Sequence, residues 1–191
     1  MHTWHTEIIA LPAEKTTQAE LAFALAAAFA EDRLMRDLLG DDAWEEIRQP
    51  YFELQLAHAD RAVTLTNAEG VIGVLLARSP QARMPGWRSA LQAIKVRKLL
   101  GDKFGASQQV AHAISAKVPK ERHWYINQIG TLPTARRLGA GHEMLSALAT
   151  LRGQDPVYVD CERKMAGFYQ RAGYELIAAI DDEQMVVMGL R

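Results

Sequence analysis

Cysteine is nearly absent from this sequence: of 191 residues only Cys161 carries a thiol. An internal disulfide and a four-cysteine metal site are therefore both excluded. The six histidines form no His-x-x-x-His pair, so a helix-borne metal site is not expected. Neither sign of charge is in excess, with 22 Lys and Arg against 23 Asp and Glu and a net charge of -1. That balance argues against a dedicated nucleic-acid binder. Long apolar runs are missing as well. The longest, "LAFALAAAFA" at 21–30, lies between Glu20 and Glu31 and is too short to span a bilayer. The opening "MHTWHTEIIALP" has no basic segment followed by an apolar one, so a secretory leader is not expected. Repeats, low-complexity tracts and obvious linkers are also lacking. The expectation is a cytoplasmic protein without a membrane partner, folded as one domain over 1–191.

About half of the residues are apolar, 49%, which is enough for a sizeable core. "EIIAL" predicts a strand over 7–11, ended by Pro12. Thr17-Gln18-Ala19-Glu20 matches a capping box ahead of a helix marked by Leu21, Leu25 and Phe29. An acidic segment follows, then helical periodicity over 41–59, interrupted at Pro50. Residues 61–77 read as a hairpin turning at Asn67, Glu69 and Gly70. Strand signal then disappears from 80 to 119, where 87–100 and 107–118 read as two helices. Strands over 123–132 and 156–161 alternate with helices over 139–151 and 163–173. A final hairpin turns around Asp181, Asp182 and Glu183. This order predicts an α/β (α+β) fold with a mixed sheet of about six to seven strands flanked by helices. A helical insertion, 80–119, separates the third strand from the fourth.

The chemistry concentrates at "GTLPTARRLGAG", 130–141, where a strand feeds a glycine-rich turn and then a helix. A helix N-terminus leaves backbone N–H groups unpaired and carries partial positive charge. Glycine there lets a ligand approach the backbone, and Arg136 and Arg137 add charge, so the junction suits a phosphate. It is neither a Walker A loop nor a dinucleotide fingerprint, since Gly-Lys-Ser/Thr and Gly-x-Gly-x-x-Gly are both absent.

The stretch resembles motif A of the GNAT N-acetyltransferase superfamily. Pro133 takes the place of the motif's proline, and Arg136, Gly139 and Gly141 fall on Arg-x-x-Gly-x-Gly. Thr131 stands where valine is usual. Downstream, Phe168, Tyr169, Gly173 and Tyr174 in "GFYQRAGYE" resemble motif B. The segment "AFAEDRLMRDLLGDD" resembles the opening helix pair of one branch, with Arg33 in place of a proline. The resemblance implies acetyl-CoA in a gap between two splayed parallel strands, 124–132 and 157–161. Backbone groups of Ile129, Gly130 and Thr131 would bond the pantetheine arm. N–H groups of Arg136, Arg137, Leu138, Gly139, Ala140, Gly141 and His142 would hold the pyrophosphate. The asparagine frequent before motif B is missing, with Arg163, Lys164 and Met165 in its region.

Acetyl transfer needs a neutral amine and a proton for the departing thiolate. Tyr169 matches the position of the family's general acid. The base is less legible. The strand before the turn offers Asn127 and Gln128 rather than a carboxylate, so Asp160 is the tentative base, alternatively a strand-end helix cap. His123 has a suitable titration range. Cys161 reads as a small buried hydrophobe rather than a nucleophile.

Charge is unevenly placed. Residues 31–46 carry seven acids and two bases, and residues 83–122 carry nine bases and two acids. Both are readable as solvated helical faces. The functional reading has the acidic helices lining an amine pocket, with Glu31, Asp32 and Asn127 as substrate contacts. The basic insertion then acts as a lid, a contact for the 3′-phosphate, or a site for an acidic partner. The expected partners are acetyl-CoA and a small-molecule or peptide amine, and a homodimer is compatible with the family. A non-catalytic acetyl-CoA sensor of the same fold, or a plain interaction protein, remain the other readings.

Overall fold

A computed structural model describes residues 4–83, 85–180 and 184–191. Seven strands form one sheet in the order β1-β2-β3-β4-β5-β7-β6. They are β1 (His5–Ala10), β2 (Arg61–Asn67), β3 (Gly70–Arg78), β4 (Trp124–Thr131), β5 (Val157–Glu162), β6 (Glu175–Ala179) and β7 (Met185–Leu190). Only β4 and β5 pair in parallel, and every other neighbouring pair is antiparallel. The turn expected at 181–183 lies outside the described residues.

The sheet is covered on both faces, and strand alternation sorts the side chains between them. On one face α6 (Ala140–Arg152) and α7 (Ala166–Arg171) pack Met144, Leu145, Leu148 and Tyr169 against Val63, Leu65, Ile126 and Val159. On the other, α1 (Lys15–Ala28) and α3 (Trp44–Leu56) pack Leu21, Leu25, Trp44 and Phe52 against Ala62, Val74 and Leu76. Between them lies α2 (Arg33–Leu39), where the residue pattern shows only an acidic stretch.

Two local expectations are corrected. The Thr17–Glu20 box does not start a helix. α1 begins earlier, with Glu14 at its N-cap and no side-chain cap, and the Gln18 carboxamide donates back to the Ala13 carbonyl. Pro50 does not divide α3 either. Burial of Trp44, Phe52 and Leu56 along one side outweighs the single backbone bond that proline removes.

The insertion consists of α4 (Gly86–Leu100), a 3-10 turn over Gly101–Lys103 and α5 (Phe104–Lys117). α5 thus starts one turn sooner than its sequence pattern suggests. α4 leans on α3, and α5 leans on α2 and β6. This arrangement lays the insertion over the same side of the sheet as α2 and α3. No described helix is long and apolar enough to cross a membrane.

Candidate active site

The sheet opens in its middle. β4 and β5 pair at Trp124–Val157, Tyr125–Tyr158 and Ile126–Val159, and then part, although β4 continues to Thr131 and β5 to Glu162. Each strand keeps its outer neighbour through the gap: β4 stays on β3 and β5 stays on β7. The separation begins at an irregularity in β4. Leu76 faces Gln128 and Ala77 faces Ile126, so Asn127 is an extra residue without a partner in β3. Such a bulge bends its strand and increases twist. Past it, the β5-facing edge of Ile129, Gly130 and Thr131 has no strand partner among the described residues.

At the open end of β4 the chain makes a 3-10 turn, Pro133–Ala135, and enters α6 through two left-handed residues, Arg137 (φ 62) and Gly139 (φ 96). The first N–H groups of a helix have no acceptor of their own. Here the set extends backwards, and the N–H groups of Arg137, Leu138, Gly139, Ala140, Gly141 and His142 have no backbone acceptor among the described residues. The next N–H, of Glu143, closes onto the Gly139 carbonyl. Arg136 is set apart from this row. Its own N–H bonds the Pro133 carbonyl, and its guanidinium donates to the Ala28 carbonyl at 2.8 Å, at the C-terminal end of α1. Its charge therefore satisfies a helix end rather than pointing into the turn.

The glycines divide the work. A Cβ on Gly139 would meet nothing within 4 Å, so this position needs glycine for its backbone angle and leaves open space beside the N–H row. A Cβ on Gly141 would come within 2.9 Å of the Phe168 ring. Gly141 thus admits Phe168, whose ring also lies edge-on to His142 with centroids 4.8 Å apart. Gly130 is likewise a packing position, because a Cβ there would strike Phe29 and Ala28 at 2.8 and 2.9 Å.

The opposite mouth of the gap leads into a cavity of about 890 Å³ beneath the insertion. Tyr125, Asn127 and Asp160 line it from the sheet, Leu34 and Leu38 from α2, and Val110 and Ile114 from α5. The Tyr125 hydroxyl donates to Asp160 Oδ1. Burial raises the Asp160 carboxyl above its ordinary range, and the Tyr125 bond pulls partly the other way. Burial, followed by the Asp160 charge, pushes the Tyr125 phenol far above its usual value. Arg78 lies over the Tyr125 ring, 5.6 Å from its centre. Asn127 Oδ1 is buried and has no hydrogen-bond partner among the described residues. A buried carbonyl oxygen left this way is an unmet acceptor facing the cavity.

Asp160 and Asn127 are therefore brought together, while Glu31 and Asp32 are not among the cavity's lining residues. Asp32 caps α2 by accepting from the Met35 N–H at 2.9 Å, and Glu31 is exposed. α2 does reach the cavity, but through its leucines. Tyr125 and Arg78 are the residues that sequence reasoning passed over. Tyr125 was findable, two positions before Asn127 on a strand already singled out.

Tyr169 belongs to the α6–α7 face. It is buried between Phe168 and Tyr174, with ring centroids 5.0 and 5.6 Å away. Its phenol is raised well above the ordinary value, chiefly by burial and then by the charges of Cys161, Tyr174 and Asp160. It remains a neutral O–H, with no hydrogen-bond partner among the described residues. Burial also pushes the Cys161 thiol up to about 12, which suits a packing residue and not a thiolate nucleophile. His123 lines the cavity rim, with Nδ1 2.6 Å from the Glu121 carbonyl oxygen.

Neither a family model nor a curated protein matches the chain. Solved structures do. A histone acetyltransferase HPA2 and related acetyltransferase from Corynebacterium glutamicum superposes with a TM-score of 0.71 at 22% identity, covering 96% of this chain and 94% of that one. The chain has the GNAT fold. A GNAT family acetyltransferase from Brucella melitensis, solved in complex with acetyl-CoA, gives a TM-score of 0.52 at 14% identity, over 97% of this chain and 87% of that one. A polyamine N-acetyltransferase from Drosophila melanogaster gives 0.57 at 17% identity, over 97% and 100%. The mixed seven-stranded sheet and its flanking helices are thus those of the GNAT fold.

Proposed function

We propose that the chain is an N-acetyltransferase, using acetyl-CoA to acetylate a primary amine of a small molecule or peptide directly, in a ternary complex. One observation carries this reading. The gap between β4 and β5 has a row of unpaired N–H groups at one mouth and a cavity holding Asp160 and Asn127 at the other. The residues present fit acetyl-CoA: a free strand edge at Ile129, Gly130 and Thr131 for an amide-bearing arm, and N–H groups from Arg137 to His142 for a pyrophosphate. That a structure of the same fold is solved with acetyl-CoA, and that others carry the names of amine acetyltransferases, supports the same assignment.

When bound, acetyl-CoA supplies the reactive thioester. Asn127 Oδ1 accepts a hydrogen bond from the incoming amine, orienting its lone pair. Asp160, ionised and held by Tyr125, takes the proton that the ammonium must lose. Tyr169 would be the proton donor for the leaving thiolate, and the proton shed by the new amide nitrogen would restore its phenol. The low-dielectric surroundings of Tyr169 keep that proton on the phenol until it is needed.

Calorimetric titration with acetyl-CoA tests the cofactor half. Thiol release across an amine panel tests the transfer. Tight binding with no thiol release from any amine would replace the enzyme by a binding module of the same fold.

A further inference from the structure

A second cavity, of about 960 Å³, lies further out along the same face, between the end of β3, the segment after it and α4. Arg78, Lys120 and His123 line both cavities, so inner and outer chambers adjoin at these three residues. Their linings differ in kind. The inner chamber has leucine, valine and isoleucine with neutral Gln and Ser side chains around Asp160, and its only cations other than His123 are the shared Arg78 and Lys120. The outer one carries Arg78, Arg83, Arg88, Lys95 and Lys120, none with a carboxylate partner among the described residues.

The carboxylates of the outer chamber are already engaged. Asp60 accepts from the Ser79 N–H and hydroxyl at 2.7 and 2.6 Å and pairs with Arg61. Glu121 accepts from the Tyr158 hydroxyl. Arg122, the other cation there, is held by Asp155 at 3.2 Å. Trp87 stands exposed beside Arg88, whose guanidinium lies 5.2 Å from its ring centre. The Gln92 side chain turns into this chamber with Oε1 buried and unpartnered among the described residues. Several cations without a carboxylate partner around one concavity, outnumbering its two hydrogen-bonded carboxylates Asp60 and Glu121, make a site for negative charge.

This inference rests on the amine-acetylation reading above and narrows it. We infer that the acceptor is a primary amine joined through an apolar segment to an anionic group, carboxylate or phosphate. The amine sits at Asp160 and Asn127, the apolar segment fills the inner chamber, and the anion meets the cations of the outer one. Polycationic amines are the wrong class for this chain, because their second ammonium would arrive among Arg78, Arg88 and Lys95.

The test is a set of linear primary amines, matched over a range of chain lengths, ending in methyl, carboxylate, phosphate or a second ammonium. At the favoured length, kcat/KM is expected to rank either anion above methyl and methyl above ammonium, with anion exceeding ammonium by about tenfold or more. The carboxylate and phosphate arms show which anion is read. In Arg88→Gln/Lys95→Gln, a surface pair, the anion-over-methyl ratio is expected to fall at least several-fold. An unchanged ratio, or an ammonium-terminated acceptor equal to or better than the anions, overturns the inference. If acetyl-CoA binds but no amine turns over, the enzymatic reading fails on its own. Titrating the CoA-loaded protein with the same set then decides the outer chamber. Selective binding of the anions, weakened in the double variant, upholds it; equal binding of all four overturns it.

Discussion

Burial favours the protonated form of both Asp160 and Tyr169, yet the proposed roles need the first to lose its proton and the second to keep it, so substitution at each has a distinct signature. Tyr169 is a donor kept neutral by burial. Tyr169→Phe retains the packing against Phe168 and Tyr174, so turnover should fall at least about tenfold while acetyl-CoA affinity stays. An unchanged rate removes Tyr169 from the mechanism. Asp160 must be ionised to act, and its folded pKa is raised. Above the ordinary carboxylate range the unfolded chain has lost this proton while the folded chain keeps it. Stability therefore declines as pH rises through the folded value. Activity with the base ionised rises over the same interval. Asp160→Asn should abolish the rising limb of the pH–kcat/KM profile and flatten the corresponding decline in unfolding free energy. Both profiles are measurable on one pair of proteins. A wild-type profile matched by the variant would assign the base elsewhere.

At the scale of the element, the backbone demands of the loop before α6 could be read from sequence and the lining of the cavity beneath α5 could not. The reason is physical. The loop needs a left-handed backbone at Gly139 and room for Phe168 at Gly141. Both needs can be met only by glycine at set positions, so spacing betrays them. Gly139→Val places a branched side chain at φ 96, at a cost of about 1–2 kcal/mol. It also fills the space beside the free N–H groups, so loss of acetyl-CoA affinity is expected by titration. Gly141→Ala instead drives a methyl into the Phe168 ring, and thermal unfolding should show a loss of about 1–3 kcal/mol. The chamber, by contrast, draws its lining from α2, α3, α4, α5, β3, β4 and β5, and no local pattern links them. Asp32 shows the hazard directly. An acid at a helix start satisfies the cap first, and local bonding wins over a distant pocket.

Seen as a whole, the molecule separates its tasks by face and by mouth. The element order and the mixed sheet were legible because the hydrophobic period changes cleanly between strands and helices. The family resemblance alone suggested that the insertion lies on the acceptor side; no local pattern did, since its position depends on contacts with α2, α3 and β6 far away in sequence. Deleting Gly86 to Lys117 removes the roof of the amine chamber but nothing that touches the N–H row. CoA affinity is expected to persist and acceptor preference to broaden. Loss of CoA binding in a protein that still unfolds cooperatively would contradict that separation.

The bond from Arg136 to the Ala28 carbonyl crosses this division. One end sits in the turn ahead of α6. The other holds the last carbonyls of α1, from which the chain runs directly into α2 and its chamber-lining leucines. If the proposed function holds, this guanidinium joins the cofactor turn to the helix pair that leads to the acceptor cavity. Reciprocity then requires that cofactor and amine alter each other's affinity by one common factor. Arg136→Leu should bring that factor close to one, read by titrating an unreactive amine analogue with and without CoA. Both sites would remain, each ligand then binding with the same affinity whether or not the other is present.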